Sequence, residues 1–134
     1  MEPDLSRRLK ERLAQEEDLA AVYLLGSGAR GSLRADSDLD FALLPSRGCV
    51  ISPADRLLLA ADLEGLAGRP VDLGVLSTAN LVYAKEAVAQ GVLIFERDPL
   101  ARARFAMLAL SMYAALQESR REVLQAYAAC SRAK

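Results

Sequence analysis

The chain has 134 residues, 52% of them apolar, and its 17 basic and 18 acidic side chains leave a net charge of −1. At roughly 100–200 residues per domain this predicts one domain, 1–134, with a core that needs no disulfide staples and without the basic excess of a dedicated nucleic-acid surface. Histidine is absent and Cys49 and Cys130 match no metal-ligand spacing, so Cys/His zinc sites and histidine triads are excluded; base chemistry falls to carboxylates, and any metal to oxygen ligands suited to magnesium, manganese or calcium.

Leu5, Leu9 and Leu13 recur every fourth residue behind Pro3, which predicts an amphipathic helix over 4–17 rather than a signal peptide. The period then changes. Residues 21–25 (AVYLL) form a short β-prone run that stops at Gly26, the pattern of a buried strand. Similar runs occupy 39–44, 71–76 and 92–95. Helices are predicted between them, over 52–68 with Ser52-Pro53 at its start and Gly68 at its end, and over 79–90 ending at Gly91. After Asp98-Pro99 the chain reads as helix almost to Lys134, with a possible break near Ser119. The order is α-β-α-β-α-β-α-β-α, an α/β (α+β) fold with helices over a small sheet. No run approaches the ~18 apolar residues of a membrane span, so a cytoplasmic protein with reduced thiols is expected.

Residues 105–116 (FAMLALSMYAAL) carry no charge on any face, which predicts burial of that segment. Unbroken, the last helix would be about 50 Å long at 1.5 Å per residue, against a radius of gyration of about 14 Å for a domain of this size. Part of it should overhang the core and seek a partner or a second copy of the chain.

The chemistry concentrates in 24–44, LLGSGARGSLRADSDLDFALL. A strand ends at Gly26-Ser27, a turn with Gly28 and Gly31 leads into a short helix, and a loop returns to a strand that opens Asp38-Leu39-Asp40. Glycine lets the backbone approach a ligand closely, and amides at a helix N-terminus attract phosphate oxygens. Alternate residues of a strand share a face, so Asp38 and Asp40 project together while Leu39 and Phe41 enter the core. Asp72, in the apolar run VDLGVL, would join them if its strand lies alongside. Carboxylates so placed repel one another unless a cation compensates, which points to magnesium, or manganese in its place; two ions would fit phosphoryl or nucleotidyl transfer. Gly-Ser alone is usually a turn and Asp-x-Asp alone a solvated loop. Their combination at one fixed spacing arises by chance at only about one position in 10⁴–10⁵ at average residue usage.

Gly26-Ser27, ten residues and then Asp38-x-Asp40 resembles the signature of the DNA polymerase β-like nucleotidyltransferase superfamily, and GSGARG...SDLDFALL its minimal nucleotidyltransferases. The resemblance covers nearly the whole chain, with Asp72 matching the third family carboxylate. It implies a mixed, twisted sheet flanked by helices, with Gly26 and Ser27 holding the phosphates of ATP. It also implies that Asp38 and Asp40 ligate Mg2+, and that Asp72 completes the site and helps activate the acceptor hydroxyl. Arg30 either reaches the triphosphate or lies on a solvated helix face. Ser37 is placed to orient Asp38, whereas Arg34 and Asp36 read as exposed. Arg102, Arg104, Arg120 and Arg121 read as a solvated face interleaved with Glu118 and Glu122 rather than a polyanion patch. Tyr23 and Phe41 read as core, while Tyr83, Tyr113 and Tyr127 are surface or interface aromatics without a role.

Members of this type resemble antitoxins that transfer AMP from ATP to a tyrosine of a HEPN-family toxin. The resemblance thus implies an adenylyltransferase that uses residues 99–134 as its partner-binding segment. Two other readings stay open: an antitoxin that only masks its partner, and an enzyme that adenylylates a small molecule such as an aminoglycoside.

Overall fold

Leu5, Leu9 and Leu13 form one buried stripe of the first helix, α1 (Pro3–Ala14), in the computed structural model, which describes residues 1–26 and 38–132. The helix stops short of its predicted end at 17 because the Glu16 amide bonds Leu13 O at 3.1 Å, tightening the last turn into a bend. Strands β1 (Leu19–Leu25), β2 (Leu39–Pro45), β3 (Val71–Val75) and β4 (Val92–Glu96) alternate with helices α2 (Pro53–Ala67), α3 (Leu81–Gln90) and α4 (Pro99–Arg132). Gln90-Gly91 closes α3 as expected, but the helix starts at Leu81 rather than 79, because the Asn80 side chain accepts the Tyr83 amide at 3.3 Å and makes Asn80 the N-cap.

The sheet is mixed, in the order β3-β2-β1-β4. The β1–β2 and β1–β4 pairs are antiparallel and β2–β3 is parallel. Every residue of β1 is buried, as an inner strand covered on both faces requires. On one face α1 and α2 pack over Leu19, Val22, Leu24, Leu39, Phe41, Leu43, Val71 and Leu73. On the other, small residues (Ala20, Ala21, Ala42, Ala87) bring α3 and the start of α4 close to the sheet, around Tyr23, Leu25, Leu44 and Leu76. Residues 40, 42 and 44 of β2 and residue 72 of β3 therefore belong to the α3 side.

A corner fixes where α4 departs. The Arg97 guanidinium donates to the carbonyls of Glu16 and Ala14, capping the C-terminal end of α1, while Asp98 Oδ1 accepts the Ala101 amide at 3.0 Å. Helix α4 then runs without the break near Ser119. Within the chain its uncharged stretch is covered on one side only. Ala109 is fully covered, but Met107 is 70% and Leu108 51% exposed, because only the face toward α3 has a neighbour. From Glu118 to Ser131 every side chain but that of Ala128 is exposed, so the overhang expected from helix length is present. Among the described residues no helix is long and apolar enough to cross a membrane.

Candidate active site

The end of β1 places Gly26 beside Asp40, since Leu25 and Asp40 are paired across the β1–β2 ladder. Gly26 has φ +67°, a left-handed conformation that favours glycine, and a Cβ there would sit 3.2 Å from Asp40 Oδ2. One position thus meets two demands: the turn needs glycine, and the carboxylate needs the space. Gly26→Ala is expected to lower stability by about 1–2 kcal/mol, read as a shift of the urea unfolding midpoint.

Asp40 and Asp72 are direct neighbours in the parallel β2–β3 register. They share the α3 side of the sheet, while Leu39, Phe41, Val71 and Leu73 turn into the opposite core. Partial burial raises the Asp40 pKa first of all, and the charges of Asp72 and then Asp38 raise it further. Asp38 stands just ahead of β2 and is exposed. Ser27 and Arg30, the turn with Gly28 and Gly31, the predicted short helix, Arg34, Asp36 and Ser37 lie outside the described residues.

A cavity of about 310 Å³ opens over the pair, lined by Gly26, Asp40, Asp72, Gly74, Tyr83 and Glu86 together with Leu25 and Phe41. Two other cavities among the described residues are larger, and the second of them reaches Asp72 from the α2 side together with Glu64. One of about 410 Å³ under the start of α4 joins Arg47, Asp98 and Arg104 to an apolar floor, and one of about 440 Å³ runs along the β3–α2 groove. Neither gathers two carboxylates beside a glycine turn, so chemistry rather than volume locates the site.

Among the described residues no group of three or more histidine, cysteine, aspartate or glutamate side chains is gathered closely enough to enclose a metal ion. Asp40 and Asp72 still fit a magnesium ion. They are hard oxygen donors on adjacent strands, their like charges call for a cation, and magnesium is commonly held by one or two carboxylates with phosphate and water oxygens completing its shell.

Tyr83 and Glu86, on the first turns of α3, join the cavity without a motif to announce them. The Tyr83 phenol is half-buried, and burial followed by the charges of Asp72, Asp40 and Glu86 raises its pKa, so it stays protonated. The available sequence signal was Gly74, which interrupts an apolar strand two residues after Asp72: a Cβ there would lie 2.7 Å from Tyr83 Cζ. Of the arginines read as solvated, Arg102 pairs with Glu96 and Arg121 with Glu118.

Residues 7–100 match the family described as polymerase beta, nucleotidyltransferase. The chain is 31% identical over 119 residues to the protein adenylyltransferase MntA of Shewanella oneidensis, spanning 87% of this chain and 81% of that relative. Its fold superposes on a chain of a toxin–antitoxin structure solved with AMP-PNP, with a TM-score of 0.75, 27% identity and coverage of 90% of this chain and 95% of that one. It also superposes on a chain of the complex of tri-AMPylated Shewanella oneidensis HEPN toxin with MNT antitoxin, with a TM-score of 0.73, 25% identity and coverage of 93% and 97%. The family match spans both aspartate strands and the glycine turn, and the chain belongs to the polymerase beta nucleotidyltransferase family.

Proposed function

We propose that the chain is an antitoxin that transfers AMP from ATP to a tyrosine hydroxyl of a cognate HEPN toxin, with Asp38, Asp40 and Asp72 as its carboxylates. The observation that carries this reading is the Asp40–Asp72 pair, side by side next to the glycine turn. MntA, a protein adenylyltransferase, and the AMPylated HEPN toxin complex supply the acceptor class.

Gly26 and Ser27 bind the phosphates with backbone amides and a hydroxyl. Asp40 and Asp72, joined by Asp38, would hold magnesium, which when bound would supply positive charge at the reacting phosphate. Asp72 accepts the proton of the acceptor hydroxyl. The acceptor oxygen bonds to the α-phosphorus as the bond from that phosphorus to the bridging oxygen breaks, and pyrophosphate departs on the Gly26 side.

Helix α4 delivers the partner. Ala109, Tyr113 and Leu116 follow one stripe in three- and four-residue steps, packed toward α3 at their start; Val123, Leu124 and Tyr127 continue that stripe at 65%, 68% and 76% exposure. This bare continuation also favours a second reading, in which binding alone neutralises the toxin. Incubation with the cognate HEPN protein, magnesium and ATP labelled at either the α- or the γ-phosphate separates the two. AMP transfer moves the α-label and leaves the γ-label in pyrophosphate; masking moves neither, yet still silences the toxin.

A further inference from the structure

We infer that Tyr83 binds the attacking hydroxyl group of the acceptor, an assignment that rests on the transferase reading above. Three observations carry it. The ring has a seat that only glycine leaves free: any Cβ at Gly74 would collide with Tyr83 Oη and come within 2.7 Å of Cζ. The phenol thereby reaches across β3 into the cavity of Asp40 and Asp72. Its hydroxyl has no hydrogen-bond partner among the described residues, although the Tyr83 amide is anchored on Asn80 Oδ1 at 3.3 Å. Finally, the sheet order lays out the site from one side to the other, with Gly26 at the end of β1, Asp40 on β2, and Asp72 and Gly74 on β3. Tyr83 stands over β3, on the side of the carboxylate pair away from the phosphate turn.

What fits between a neutral phenol and a carboxylate is a group that both accepts and donates one hydrogen bond. A tyrosine or other alcohol hydroxyl does so, accepting from Tyr83 Oη–H and donating to Asp72. One lone pair on the acceptor oxygen remains for the phosphorus. The Tyr83 bond exists before attack, so it contributes to acceptor binding more than to turnover.

Tyr83→Phe keeps the ring in its seat and removes only the donor. With the cognate HEPN protein as the varied substrate and ATP saturating, KM for the HEPN protein should rise about 3- to 10-fold, the loss of one neutral hydrogen bond. The KM for ATP, kcat and the thermal midpoint should stay at parent values. Gly74→Ala, which displaces the ring, should raise the same KM. An unchanged KM for the HEPN protein in Tyr83→Phe overturns the inference, and a rise in the ATP KM alone overturns it by placing the phenol on the nucleotide. If the parent protein itself transfers no AMP, the transferase reading fails and this assignment fails with it.

Discussion

Asp40→Asn is expected to lower AMP transfer at least about 10²–10³-fold while leaving the fold intact or slightly stabilised. The lower bound is what one preorganised donor contributes at a reacting centre, and a carboxylate that positions charge at a phosphate should contribute no less. The stability half follows from the site's own electrostatics. Burial and the charges of Asp72 and Asp38 hold the folded Asp40 pKa above its ordinary value of 3.8, so the folded state binds this proton more readily than the unfolded chain. The ionised carboxylate is thus a liability that is fully present above the folded pKa and disappears as the pH falls through that value toward 3.8. At neutral pH the asparagine variant should melt no lower than the parent, and the two should converge in acid. Magnesium with a nucleotide should raise the parent's melting temperature and leave that of the variant much less changed. A variant that melts well below the parent at pH 7 would mean Asp40 is held by a favourable partner instead.

Tyr127→Asp combined with Leu124→Asp is expected to weaken binding to the cognate HEPN protein at least about 100-fold, with no change in the chain's own unfolding. Both residues are more than two-thirds exposed on the overhang of α4, so nothing within the fold is lost when they change. Their stripe, however, continues the line of Ala109, Tyr113 and Leu116 past the end of the fold, where it has no neighbour among the described residues. Two buried aromatic or aliphatic anchors are each worth ~1–2 kcal/mol or more at an interface centre, and a charge in their place adds a desolvation penalty. Calorimetric titration reads the affinity, and transfer activity should fall with it at limiting partner concentration. Retained affinity would place the interface elsewhere.

The parts of this molecule that were legible in the sequence are those set by period and by the chemistry of few residue types. Leu5, Leu9 and Leu13 announced α1, and the apolar runs announced all four strands, because burial demands those patterns. Asp72 stood out because an acidic residue interrupts an apolar run, and the sheet does place it beside Asp40; β3 is an edge strand, though, and Asp72 is exposed there, so burial is not what makes it notable. Packing was less legible. Residues 105–116 read as a helix buried somewhere, and composition does not say whether its neighbours belong to the same chain; α3 and the sheet cover one side only. Tyr83 looked like a surface aromatic because its position depends on a glycine one strand away, a relation that no local pattern encodes.

The intact mass of the cognate HEPN protein, taken after incubation with this chain, ATP and magnesium, tests the central claim most directly. The parent protein should add one or more AMP groups, and Asp72→Asn should add none over the same time while still binding the partner. Transfer at the parent's rate by Asp72→Asn, or a HEPN protein left at its starting mass by the parent, would contradict the account.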